Sequence, residues 1–265
     1  MTRAIFEPRA DGTFMPTLHA QGPWADGLLH GGPVNGLLAR ALERAADERG
    51  LDVVRITIDL FRPVPMRPLR VVTKPVRAGR RILVLDAWLL DGEVETARAT
   101  GLLLRAEPEK APPLGEGTMP PPPDDLPTTT LGEGMKFTGP RRAGFHTTAQ
   151  ARWAYPPQES PRATVWFRIP IPLVAGEETS PLVQLAAVAD FTNALTIRSG
   201  ARRAGFINAD TTIYLCRPPR YEWFCLEVDG RELGPGALGY AHCRLYDRDG
   251  LVGVAQQAVL PQEMR

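Results

Sequence analysis

Ile56-Thr57-Ile58-Asp59-Leu60-Phe61-Arg62-Pro63 returns later in the chain as Thr211-Thr212-Ile213-Tyr214-Leu215-Cys216-Arg217-Pro218. The chain repeats itself around both copies. Asn35 stands as far before Arg62 as Asp190 stands before Arg217. Asn35-Gly36-Leu37-Leu38-Ala39-Arg40-Ala41-Leu42 answers to the stretch that begins Asp190-Phe191-Thr192-Asn193-Ala194-Leu195, and Asp91-Gly92 answers to Asp249-Gly250 at a slightly longer spacing. Solenoid units repeat at roughly 20–50 residues, far less than this period. The pattern is a duplicated domain. One copy carries a carboxylate, Asp190, where the other carries an amide, Asn35, which points to asymmetric chemistry.

Each copy reads as one helix followed by antiparallel strands. His30-Gly31-Gly32-Pro33 opens the first helix, since proline suits the first turn. Val34, Leu37, Leu38, Ala41, Leu42 and Ala45 recur at helical spacing, and Gly50 marks the stop. Alternation over Arg55–Phe61 predicts a strand with Ile56, Ile58 and Leu60 on one face. Further strands are expected over Leu69–Val76, Ile82–Leu90 and Glu95–Leu104. In the second copy Thr164–Ile169 reads as a strand. Ser180-Pro181 caps a helix whose apolar stripe runs from Leu182 to Leu195. Strands follow near Asp210–Cys216, Tyr221–Asp229, Gly239–Tyr246 and Leu251–Leu260. The expected units are residues 1–106 and 151–265. Between them, 107–150 is Pro-rich and reads as an extended linker without a core of its own. A sheet can bury a single helix by curling round it, and two such units can join edge strands into one larger sheet.

The composition is that of an ordinary soluble globular chain: 265 residues, 43% hydrophobic, 23% charged, net charge +1. No overall field draws in nucleic acid or an anionic membrane. Three cysteines, Cys216, Cys225 and Cys243, fit no disulfide framework and suggest reduced, buried thiols. There is no signal-like start and no apolar run long enough to span a bilayer, so a cytoplasmic location is expected. The four histidines, His19, His30, His146 and His242, lack metal-ligand spacing. No G-x-S-x-G, Walker or dinucleotide glycine pattern occurs.

His30-Gly31-Gly32 with its helix, Phe61-Arg62-Pro63, Asp190-Phe191, Cys216-Arg217-Pro218, the turn Tyr246-Asp247-Arg248-Asp249-Gly250-Leu251-Val252 and Gln257 together resemble the acyl-CoA thioesterase II family. The resemblance covers nearly the whole chain outside the linker. It implies an α+β double hotdog, in which each of two tandem units wraps a long helix in an antiparallel sheet. It also implies hydrolysis of acyl-CoA by an activated water, with no cofactor and no metal. The family's Asp falls on Asp190 and its Gln on Gln257. Its hydroxyl position falls on Asn208, an amide instead of a hydroxyl. The family often assembles further, so a homo-oligomer is expected. Acyl-CoA is the expected partner, with no nucleic acid and no membrane span.

The chemistry can be argued from the residues as well. Thioester hydrolysis needs an oriented water, a proton acceptor and donors for the developing oxyanion. Asp190 follows the apolar run Leu185–Ala189, where a carboxylate needs partners. Gln256 and Gln257 are strand neighbours and face opposite ways. Gln257 shares its face with Gly253, Ala255 and Val259, so it is the one expected to look inward. Asn208 lies near a strand start where a bulge could re-aim it, and Asp210 and Thr212 share its face. His30 is expected to shape the helix entrance, with the Gly31 and Gly32 amides available to a substrate oxygen. The first copy has lost these polar groups apart from Asn35, so one active centre per chain is expected. A non-catalytic acyl-CoA or lipid-binding protein is the alternative. Hydration of an enoyl thioester would need an Asp–His pair, and Asp190 has no histidine near it in sequence.

Overall fold

The computed structural model describes residues 3–107, 119–134, 142–156, 162–196 and 204–263. The first half contains β1 (Phe6–Pro8), β2 (Phe14–Pro16), α1 (Gly31–Asp47), β3 (Asp52–Leu60), β4 (Leu69–Ala78), β5 (Ile82–Asp91) and β6 (Val94–Leu104). Next come β7 (Thr128–Thr130), α2 (Leu131–Gly134), α3 (Phe145–Thr148) and β8 (Gln150–Tyr155). The second half contains β9 (Ala163–Arg168), α4 (Pro181–Ala189), β10 (Ala204–Asn208), β11 (Asp210–Leu215), β12 (Phe224–Leu233), β13 (Gly239–Asp247) and β14 (Gly250–Glu263).

All these strands join one 14-stranded sheet in the order β1-β2-β4-β5-β6-β3-β11-β14-β13-β12-β9-β8-β7, with β10 paired to β14. Every pairing between these strands is antiparallel, and β1 makes one isolated parallel bridge from Phe6 to Val174. At the centre β3 meets β11, Ile56 opposite Ile213 and Ile58 opposite Thr211, and this ladder fuses the halves. The alternation read over Arg55–Phe61 puts Ile56 and Ile58 inward, and β5 alternates in the same way, with Leu83, Leu85, Ala87 and Leu89 buried. The sheet encloses α1 and α4, which pack on one another. This is the α+β double hotdog.

Glycine sets how closely those helices meet. A Cβ added at Gly32 would lie 2.6 Å from the Ala187 carbonyl and would also collide with the Phe145 ring. At Gly36 it would lie 3.3 Å from the Ala187 Cβ. The repeated Arg-Pro is structural in the second half. Arg217 forks onto the carboxylate of fully buried Asp247 at 2.7 and 2.5 Å and reaches the Gly250 carbonyl at 3.0 Å, tying the end of β11 to the β13–β14 hairpin. In the first half Arg62 is exposed.

Four features depart from the sequence reading. First, α4 stops at Ala189, not Leu195: the next N–H groups turn back to nearer carbonyls, Phe191 to Val188 at 3.0 Å and Thr192 to Ala189 at 3.2 Å, and that of Asn193 bonds the Gln257 side chain at 2.8 Å. Second, β12 begins at Phe224, since Tyr221 is in the left-handed region at φ 69° and cannot join a strand. Third, β8 and β10 were not anticipated. Fourth, the stretch expected to be linker carries β7, α2 and α3 in its described part, and Phe145 is fully buried in the core. The remainder of that linker, 108–118 and 135–141, lies outside the described residues. Cys225 and Cys243 are buried and Cys216 is exposed, all three as free thiols. No described helix is long and apolar enough to cross a membrane.

Gly32→Ala should cost about 1–3 kcal/mol, because the new methyl meets backbone and a packed ring rather than a flexible side-chain end. Thermal unfolding checks this, and an unchanged Tm would show that α1 and α4 can separate freely.

Candidate active site

Asp190 caps the C-terminal end of α4 and is 5% exposed. A carboxylate there faces the negative end of its own helix dipole and must find partners elsewhere. It finds them on three sides. His30 Nδ1 lies 2.8 Å from Oδ2. Asn208 Nδ2 donates to Oδ1 at 2.8 Å. Gln257 Nε2 lies 3.5 Å from Oδ1, a weak contact by length. The three polar residues expected to converge, Asp190, Asn208 and Gln257, therefore do meet. His30, 160 residues away in sequence, supplies the histidine that proximity in the chain did not suggest.

Gln257 is fully buried, and Gln256 points out from the same strand. Its orientation is fixed from both ends of the amide: Oε1 accepts from the Asn193 N–H at 2.8 Å, and Nε2 donates to Thr211 Oγ1 at 2.9 Å. Thr211, fully buried, was missed by the sequence reading, which offered Asp210 and Thr212 instead. The reason is a register change. β10 pairs Asn208 with Val259, and β11 pairs Thr212 with Gln256, so the count against β14 slips by one residue at Ala209. The slip reverses strand parity. Asn208 and Thr211 both look inward, Thr212 faces Thr57 across the strands, and Asp210 bonds the Ala258 N–H at 2.6 Å.

His30 is the N-cap of α1, and its Nδ1 is also 3.1 Å from the Gly32 N–H. One ring nitrogen cannot serve both neighbours. Carrying a proton, Nδ1 donates to Asp190; without it, Nδ1 accepts from Gly32. Protonation of Nδ1 toward Asp190 thus frees the Gly32 amide. A Cβ at Gly31 would sit 2.6 Å from Asp190 Oδ1, so glycine is required for the carboxylate to come this close to the helix start. Phe145 and Phe191 pack on the His30 ring at 5.1 and 5.2 Å and hold its orientation.

The first half does not repeat this arrangement. Aligned on their caps, His30 and Ser180, the helices put Arg40 rather than Asn35 in the place of Asp190. Arg40 forks onto Glu177 at 2.7 and 2.6 Å, and the Glu43 carboxylate accepts from the Ser180 hydroxyl at 2.6 Å. Arg40 holds the Glu177 carboxyl below the usual range, whereas burial raises that of Glu43. By strand register Gly101 takes the place of Gln257. An ion-paired cavity of about 290 Å³ remains where a second centre would be.

The sequence matches the model of the acyl-CoA thioesterase N-terminal domain over residues 20–104 and that of the acyl-CoA thioesterase C-terminal domain over residues 108–260. The chain belongs to the acyl-CoA thioesterase family. No curated protein matches it. Among solved structures, a putative thioesterase from Novosphingobium aromaticivorans is similar with a TM-score of 0.73 at 18% identity, over 98% of this chain and 99% of that one. A putative thioesterase II from Thermobifida fusca gives 0.72 at 16% identity, over 99% and 98%. An acyl-CoA thioesterase II, TesB2, from Mycobacterium marinum gives 0.66 at 17% identity, over 97% and 94%. At these identities the likeness concerns the fold.

His146, in α3, stacks on His30 at 6.4 Å, and its Nδ1 is buried without a partner among the described residues. Burial first, then the neighbouring His30, pulls its pKa from 6.5 to about 4. The unfolded chain therefore takes up this proton before the folded one does. His146 costs no stability above pH 6.5 and progressively more as the pH falls towards 4. His146→Leu should lose less Tm than the parent between about pH 7 and 4.5. Parallel Tm curves would contradict this.

Proposed function

We propose that this protein hydrolyses acyl-CoA thioesters to free acid and CoA at the cluster around Asp190. The observation that carries the reading is the buried carboxylate held against the start of α1 by His30 and against the sheet by Asn208 and Gln257. The positive end of α1, with the Gly31 and Gly32 amides, suits the thioester carbonyl and the oxyanion that develops on it. A water bound to the Asp190 carboxylate, on the side away from its amide partners, attacks the carbonyl carbon. Asp190 accepts its proton as the C–O bond forms. The C–S bond then breaks, and the proton passes to the departing CoA sulfur. His30 Nδ1–H steadies the carboxylate and leaves the Gly32 amide free for the oxyanion. Thr211 fixes Gln257, so a buried hydroxyl belongs to the site although Asn208 holds the position where a hydroxyl was expected.

The reading takes the working units as 1–106 and 151–265, with one centre per chain. Asp190→Ala should lower turnover at least 10²-fold and Gln257→Ala about 10²–10³-fold, measured as free thiol released from acyl-CoAs of several lengths. The assignment fails if no acyl-CoA is hydrolysed by the parent, or if Asp190→Ala matches it. Tight binding without turnover would make the chain an acyl-CoA binder.

The His30–Asp190 contact favours one second reading, addition of water to an enoyl thioester. There Asp190 would activate the water, and a protonated His30 would deliver a proton to the α-carbon. Loss of crotonyl-CoA absorbance without release of free thiol would support it, and absorbance that is unchanged, or lost only in step with thiol release, would remove it.

A further inference from the structure

Asn35 is fully buried in α1, and neither its Oδ1 nor its Nδ2 has a hydrogen-bond partner among the described residues. A buried amide with both ends unpaired is costly, and an apolar side chain of similar size would avoid that cost. Its position gives the amide a use. Residue 35 lies four positions after Gly31, on the same face of the helix, about 6 Å along the axis. Helical side chains lean towards the N-terminus, so the amide is directed back along α1 towards the Asp190 carboxylate that abuts Gly31. The same stripe faces the sheet, because Leu42, two turns on, packs against Gly101 of β6. Gly36, the next residue, is the one that meets Ala187 of α4. An acyl group whose carbonyl carbon lies at Asp190 and whose chain enters between α1 and the sheet passes Asn35 within its first few carbons.

We propose that Asn35 determines specificity, hydrogen-bonding an oxygen substituent carried on the acyl chain near the thioester. A hydroxyl fits best, since it both donates and accepts and would satisfy Oδ1 and Nδ2 together. The preferred substrates are then hydroxyacyl thioesters with the hydroxyl two or three carbons from the carbonyl. This rests on the reading of the Asp190 cluster as the site that takes acyl-CoA, and its test does not depend on turnover.

The test uses butyryl-CoA and 3-hydroxybutyryl-CoA analogues in which a methylene replaces the thioester sulfur, so that neither is hydrolysed. Their Kd values are measured by calorimetry on the parent, Asn35→Leu and Asn35→Ala. The parent should bind the hydroxylated analogue about tenfold more tightly, and in both variants the ratio should fall to about one or below. Asn35→Leu should bind the plain analogue at least as well as the parent does. A ratio that is the same in parent and variants, a parent that prefers the plain analogue, or a parent that binds neither would overturn the proposal. The ratio is read from binding, so absent thiol release would count against hydrolysis while leaving this result standing. Asn35→Ala keeps the question answerable if the leucine disturbs packing.

Discussion

The close approach of the start of α1 to the end of α4 is the constraint on which the rest depends. A carboxylate at a helix C-terminus is repelled by that helix's own carbonyl ends. Asp190 sits at such an end, and buried. What makes the position tenable is the opposite pole of a second helix, brought within contact because Gly31 and Gly32 have no side chains. His30 then completes the pairing at 2.8 Å. Adding a Cβ to either glycine would push the two helix ends apart and leave the carboxylate short of its partners.

From that contact the geometry propagates outward. Gln257 takes the N–H of Asn193 and so pins the turn that follows α4 and carries Asp190. The same amide holds Thr211. The one-residue slip at Ala209 lets Asn208 and Thr211 share an inward face, and only Asn208 then reaches the carboxylate directly. Helix end, strand bulge and buried glutamine are thus one construction. Each fixes the geometry the others need, and removing any one would loosen the other two.

Much of this was legible in the sequence because it is local or periodic. The duplicated Ile56 and Thr211 stretches, the alternation of β3, the Ser180 cap and the inward parity of Gln257 follow from spacing alone. What could not be read is what depends on tertiary contact. The His30–Asp190 pair joins residues far apart in the chain, and no local pattern announces it. Thr211 was hidden because parity arguments assume an unbroken strand, and the slip at Ala209 reverses parity. Asn35 was matched to Asp190 by counting back from Arg-Pro. The second copy has a longer path from helix to strand, so aligning the helix caps gives Arg40 instead. Phe145 lies in a segment whose composition gave no hint of a core residue, yet its ring walls the site.

The duplication then acquires a physical meaning. The first unit supplies the helix start, with His30, Gly31 and Gly32. The second supplies the carboxylate, the amides and the buried hydroxyl. Neither unit holds the whole cluster, which forms because β3 and β11 join and α1 packs against α4. In the reciprocal place the same geometry carries Arg40 on Glu177 and a serine at the cap. A guanidinium satisfied by a carboxylate cannot accept a proton, and Gly101 offers no amide side chain. The fold presents two equivalent junctions: one holds a buried carboxylate among an imidazole and two amides, and the other holds an ion pair.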